Sequence, residues 1–445
     1  MQKHFTTMGM ILAALVCLPG RPAHAQAASQ QDTKPAYTMA EYNAFQAANG
    51  EKDPLTKIKL LDDFTSKYPN STLNAYAGQV YAQACGDLAK AKNYTQAISC
   101  ADKVIALGDK AGVASELAAL QVRVQAFSAG FDSKAGDANE QLTKERDAAL
   151  LGAKLLSGYA KPKEAPGTDA QFAEQKKPGL AFFYVSAASA DLQLKDNAGA
   201  VDAFKLALDA TPKDAISSYR MGVAYFALTP PQPLDGFWAL ARAIDNGVQD
   251  APKVKDYLRQ RILAYEQPGC DTQVDAQLAD LLQLAANSPT RPDSWSIPAT
   301  ADLQKIAQAS NIATVLTDLS GGGDKAKMTW LAICGAEFPE VGAKVIDVVP
   351  GTDAVVLHTF TSSNQDEIQA ATMPNMEVKI VDQPDASKLS KDDPVRFSGT
   401  LAGYDPAPAF MLHWEKAKVN PEDLPADKGA PKKPGARKPA AKPGM

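Results

Sequence analysis

From Met39 to about Asn287, apolar positions recur at the three-to-four-residue spacing of amphipathic helices, and beyond about residue 342 the period falls to two. The pattern therefore predicts helices first and strands afterwards. Lys57 to Ser71 carries apolar residues at Ile58, Leu60, Leu61, Phe64 and Tyr68 before Pro69 stops the run. Leu73 to Leu88 and Tyr94 to Leu107 predict two long helices joined at Lys92-Asn93-Tyr94, with Gly108 as the terminal cap. Further helices are expected over about 113 to 128 and 138 to 158. The stretch 160 to 177, rich in lysine, proline and glycine, is expected to break the array as a loop.

The most informative stretch runs from Lys195 to Pro212. It places small residues at Ala200, Ala203 and Ala207, bulky ones at Val201, Phe204 and Leu208, and a closing proline. Small residues let a neighbouring helix approach while Phe204 fills the gap. Residues 181 to 212 resemble a tetratricopeptide repeat, with Tyr184, Ala187 and Ala188 on the first helix and Ala200, Phe204, Ala207 and Pro212 on the second. The next unit supplies Met221, Gly222 and Tyr225, then Gly236, Ala239, Leu240 and Ala243 after a turn lengthened around Pro230-Pro231-Gln232-Pro233. An earlier pair matches through Gly78, Tyr81, Ala97 and Ile98, while Asp191 departs from the tyrosine usual at its place.

The resemblance implies an α-solenoid of antiparallel helix pairs over residues 38–290, with first helices lining a concave face. Carried over to this chain, that face shows Phe182, Val185, Ser189, Leu192 and Gln193, then Ile216, Tyr219, Val223, Phe226 and Ala227. These residues are largely apolar, which favours docking of an amphipathic helix or an extended apolar peptide. The asparagine and lysine or arginine of the chaperone-type carboxylate clamp are read as missing from it. The alternative is that flanking helices cover the same residues as core.

After a helix near Ala301 to Thr317 and a Gly321-Gly322-Gly323 linker, residues 291–341 being helix and linker, alternating runs begin near 342, 353, 375, 394 and 409. Five strands with a helical segment at Asp366 to Ala371 fit a small closed barrel over 342–420. Ser387 to Val419 resembles the last two strands of the OB-fold-like domains of exported bacterial proteins, with Asp392-Asp393 as the turn and Gly399 as a mid-strand bend. The fold class is thus α+β multidomain. Nucleic acid is not expected as a partner: Phe360, Phe397, Tyr404, Phe410 and Trp414 offer stacking surface, but basic residues there are matched by acids.

The ends decide location. Residues 1–25 read as a secretory signal, with Lys3 and His4, an apolar run from Met8 to Leu18, and Ala23-His24-Ala25 before Gln26. No later run reaches the roughly 18 apolar residues of a membrane span, so the mature protein is expected to be exported to the periplasm or secreted. Residues 26–37 are polar and expected to be loose. The formal charge of −5 includes two cations in 1–25 and six in 428–445, which leaves −13 on residues 26–427. The basic, Pro/Ala-rich tail over 421–445 is expected to be disordered and to touch an anionic envelope polymer or simply to remain solvated.

Four cysteines remain after cleavage. Cys85 and Cys100 are nearly equidistant from the turn between their helices, so they face each other and a bridge between them would contribute about 3 kcal/mol. Cys270 and Cys334 would pair by elimination, and the alternative for all four is buried thiols. No metal cluster is expected, since only His358 and His413 remain, on strands where they would meet. No GxSxG, HExxH or Walker loop is present, and no cofactor is expected. The expected function is therefore a non-catalytic adaptor that binds a protein or peptide through the concave face. A second reading is a cell-wall or polysaccharide-associated protein that uses the barrel and basic tail, and a third is an enzyme with an unrecognised site.

Overall fold

The computed structural model describes residues 37–266, 271–351 and 353–425. Among the described residues, sixteen α-helices and five strands form two compact units, one from the described part of Met1–Leu258 with Asp280–Trp295 and one from the described parts of Arg259–Ala279 and Ser296–Met445. The expected signal, the leading polar segment up to residue 36 and the tail beyond 425 lie outside the described residues. No described helix is long and apolar enough to cross a membrane.

In the first unit, local side chains start the helices. Thr38 and Glu41 form a capping box ahead of α1 (Met39–Gly50), and Asp53 accepts from Thr56 N at 2.8 Å ahead of α2 (Pro54–Lys67). There follow α3 (Asn74–Lys90), α4 (Tyr94–Leu107), α5 (Val113–Gly130), α6 (Ala138–Gly158), α7 (Asp169–Leu194), α8 (Asn197–Ala210), α9 (Ala215–Phe226) and α10 (Pro233–Asp245). Each packs chiefly on the next, and α3 also meets α5. Leu61, Phe64, Tyr81, Leu88 and Val104 fill the core of α1 to α4. Leu117, Leu120, Leu156, Phe183 and Phe204 fill the core of α5 to α8.

Polar contacts stitch the same helices. The Tyr81 hydroxyl donates to Asp62, which also takes Lys103 Nζ at 2.7 Å. Arg123 on α5 donates to Asp102 on α4 at 2.7 Å and to Glu145 on α6 at 2.6 Å. Burial nevertheless pushes the Glu145 carboxyl up to about 8, against the pull of Arg123. Cys85 and Cys100 are joined, their Cα atoms 5.4 Å apart and both side chains buried, as their equal distance from the turn requires. Cys334 is also disulfide-bonded, and Cys270 lies outside the described residues.

The expected loop over 160–177 is a correction. α7 begins at Asp169 and continues through Pro178, because Thr168 and Gln171 form a capping box that composition alone hides. Phe172 then packs on Tyr159, and Lys176 Nζ donates to Ser157 O and Tyr159 O at 2.8 and 3.0 Å. Lysines that suggested a solvated loop thus close the preceding helix end.

Two further helices, α11 (Ala251–Tyr265) and α12 (Asp271–Asn287), contribute to both units. In the first unit Trp295 meets Trp238 edge to face at 5.5 Å, and Arg291 holds Asp235 at 2.8 Å.

The second unit carries α13 (Thr300–Ala309), α14 (Ile312–Gly321) and α15 (Gly323–Ile333), then β1 (Glu337–Val349), β2 (Val355–Phe360), α16 (Gln365–Ala370), β3 (Met376–Ile380), β4 (Pro394–Asp405) and β5 (Met411–Val419). The triple glycine is therefore no linker: Gly322 and Gly323 take φ of +68° and +70°, which turns α14 directly into α15. The turn brings Trp330, Leu331 and Ile333 into the same core as the strands.

The strands close into a barrel in the order β1-β2-β3-β5-β4, all pairs antiparallel except β3 with β5. Trp414 lies inside, edge to face with Phe338 at 5.2 Å and Phe397 at 5.4 Å. The register of β4 on β5 shifts between Ser398 and Thr400, where a side chain at Gly399 would meet Ala417 Cβ at 3.0 Å. Gly399 thus lies at a register irregularity where the sequence placed a bend.

Candidate peptide-binding face

The expected binding positions lie on α7 and α9. Asp214 caps α9 by accepting from Ile216 N and Ser217 N at 3.0 and 3.2 Å, while its second oxygen takes the Ser217 hydroxyl at 2.6 Å. Close packing against α10 fixes the orientation of α9: a Cβ at Gly222 would stand 2.9 Å from Leu240 Cγ, and one at Gly236 would stand 2.6 Å from Phe226 Cε1. The buried face of α9 is Ser217, Ser218, Gly222, Ala224 and Tyr225.

The opposite face is apolar and open. Ile216 is 45% exposed and Val223 36% exposed, and Tyr219 between them is half-buried. On α7, Val185 and Ser189 are half-buried and Gln193 is exposed, its Nε2 directed at Ser189 O over 3.4 Å. Phe182 and Leu192 instead lean on the core of the unit. Phe226 does the same, its ring 5.5 Å from Phe237 and 6.4 Å from Tyr257. Three of the expected positions are thus packing residues, and the open set centres on Ile216, Tyr219 and Val223.

One residue missing from the expectation sits in the middle of this set. Arg220 follows Ile216 by four residues and precedes Val223 by three, so all three share one helix face. The face does hold an arginine, and the reading that it lacks one is corrected. Arg220 Nη1 donates to Ser189 Oγ on α7 at 3.2 Å, and that hydroxyl in turn donates to Val185 O at 2.7 Å. Among the described residues Arg220 forms no salt bridge, and the nearby Asp214 carboxylate is occupied by its own helix N-terminus. Burial accordingly holds the Arg220 guanidinium below its ordinary pKa, with Asp214 opposing.

Magnitudes separate the contributions. Covering what remains open of Ile216 and Val223 would gain about 2 kcal/mol, less than the roughly 4 kcal/mol or more that association costs. A polar anchor beside these residues would add to that gain.

The barrel offers a different arrangement. His358 on β2 and His413 on β5 are not neighbours, because β3 lies between them. Glu377 on β3 stands between the two rings, 3.7 Å from His358 Nε2 and 3.3 Å from His413 Nδ1. Asp347 and Asp405 end the row at 3.6 and 2.9 Å. Among the described residues no group of three His, Cys, Asp or Glu side chains has the geometry to hold a metal. The aromatic residues considered for base stacking are largely used elsewhere: Phe397 and Trp414 are buried, and Tyr404 packs on Trp330 at 5.1 Å. Compared with known proteins, the chain matches no family model, no curated protein and no solved structure.

Proposed function

We propose that the protein is an exported, non-catalytic adaptor of tetratricopeptide-repeat type that binds a protein or peptide on the α7/α9 face, joined to an OB-like barrel. The observation that carries this reading is the open apolar row Ile216, Tyr219 and Val223 on a helix whose other side is packed against α10. The repeat assignment is supported by the burial of Ala200, Ala203, Phe204 and Ala207 on α8 and by successive packing of helices. The barrel assignment is supported by its closed order with one parallel pair, β3 with β5. The Cys85–Cys100 bridge and the secretory pattern of residues 1–25 favour an oxidising compartment.

The test compares native protein with the Ile216→Asp, Val223→Asp double variant in crosslinked pull-downs from the native periplasm. Both sites are exposed, so the variant should fold as the native chain does. Loss of specific partners is expected, and a folded variant that retains every partner would exclude this face.

A further inference from the structure

We infer that the α7/α9 face takes an apolar segment whose interior carries an acidic side chain, the carboxylate pairing with Arg220. This inference rests on the proposed adaptor reading and names the chemistry of its partner. Arg220 is half-buried, anchored by Ser189 Oγ at 3.2 Å and without a salt bridge among the described residues. A guanidinium in that state has lost water without gaining a directly paired counter-charge, and it retains further N–H donors for a second acceptor. The neighbouring Asp214 carboxylate opposes that cost only in part and forms no salt bridge with Arg220, its oxygens accepting from Ile216 N, Ser217 N and the Ser217 hydroxyl. An incoming carboxylate supplies what the fold does not.

The geometry also selects the source of that carboxylate. Exposed apolar side chains stand on both sides of Arg220 along the helix, Ile216 one turn before and Val223 one turn after. A chain that covers both must run past the cation, so the acid belongs to a side chain within the segment and not to a chain end. The basic tail of this protein has the wrong sign: from Lys428 to Met445 it holds six cations and no acidic side chain.

The experiment uses the mature full chain and four synthetic 15-residue helical peptides, followed by fluorescence anisotropy. The first carries a central glutamate with leucines four residues before and three after it, and an amidated end. The second replaces the glutamate with glutamine, the third with lysine, and the fourth has the glutamine together with a free C-terminal carboxylate. The glutamate peptide is expected to bind at least tenfold more tightly than the other three, and the Arg220→Glu protein to prefer the lysine peptide. Equal affinity of the glutamate and glutamine peptides overturns the pairing while leaving apolar docking, and so the adaptor reading, intact. Tightest binding of the fourth peptide overturns the choice of source. Binding of none, or a dimer that Arg220→Glu dissociates in sedimentation, overturns the inference, and the pull-down with the Ile216→Asp, Val223→Asp protein then decides the adaptor reading separately.

Discussion

Arg220 Nη1 on α9 donates to Ser189 Oγ on α7 at 3.2 Å, and this single hydrogen bond spans two helices on the open face of the first unit. A cation placed this way adds little to folding, because its desolvation offsets most of what the hydrogen bond contributes. Arg220→Met keeps the apolar stem and removes the charge. Urea unfolding should show a change between no effect and about 1 kcal/mol of stabilisation; a loss of more than about 2 kcal/mol would mark Arg220 as a structural residue.

The Cys85–Cys100 bridge closes a loop of 15 residues between two buried positions. The double variant Cys85→Ser, Cys100→Ser should lose about 3 kcal/mol. Denaturant unfolding with and without reductant checks this, since reduction should destabilise the native protein by more than the variant, which keeps only the Cys334 disulfide. An unchanged native midpoint under full reduction would show that the α3/α4 packing needs no covalent tie.

Asp191, only 3% exposed, is raised to about 6 by burial first and by Asp196 second, against the pull of Arg146. A carboxyl raised in the folded state favours folding below its unfolded value near 3.8, and that contribution is lost as pH rises through about 6. Asp191→Asn should therefore stabilise the protein at pH 8, by about 1 kcal/mol, and give no gain at pH 4. An equal effect at both pH values would mean that the charge is not the cause.

Trp414 fills the barrel between Phe338 and Phe397, yet among the described residues its indole N–H has no hydrogen-bond partner. Volume should then matter more than the polar atom. Trp414→Ala is expected to cost about 3–5 kcal/mol, and Trp414→Phe distinctly less because it removes an unpaired donor along with part of the ring. Thermal unfolding of the two variants measures the difference, and equal losses would contradict it.

Much of this architecture was legible from spacing. Tyr94 to Leu107 could be read to the residue because Asn93 and Gly108 bracket an uninterrupted apolar period. The start of α7 was not, because the lysines and Pro178 suggested a loop and the Thr168–Gln171 capping box spans only four residues. α15 was hidden behind three glycines whose positive φ makes a turn and not a tether. Strand positions followed from alternation, whereas the β3/β5 parallel pair depends on long-range closure that no local pattern contains. On the open face, the resemblance to a tetratricopeptide repeat pointed to Ile216, Tyr219 and Val223. It passed over Arg220 because the carried-over positions do not ask what charge lies between them.

Docking on the α7/α9 face is tested most directly by site-specific photo-crosslinking. A photoreactive phenylalanine is placed at Val223 and, as a control, at Leu55 on α2, which is 49% exposed. After irradiation in cells, the adducts are mapped by mass spectrometry, with and without Arg220→Glu. Docking on this face requires a defined adduct at Val223 that is absent at Leu55, and the pairing with Arg220 further requires that the adduct be lost with Arg220→Glu and that the attached segment carry an acidic residue between apolar ones. Adducts of equal yield at Val223 and Leu55, unaffected by Arg220→Glu, would contradict it.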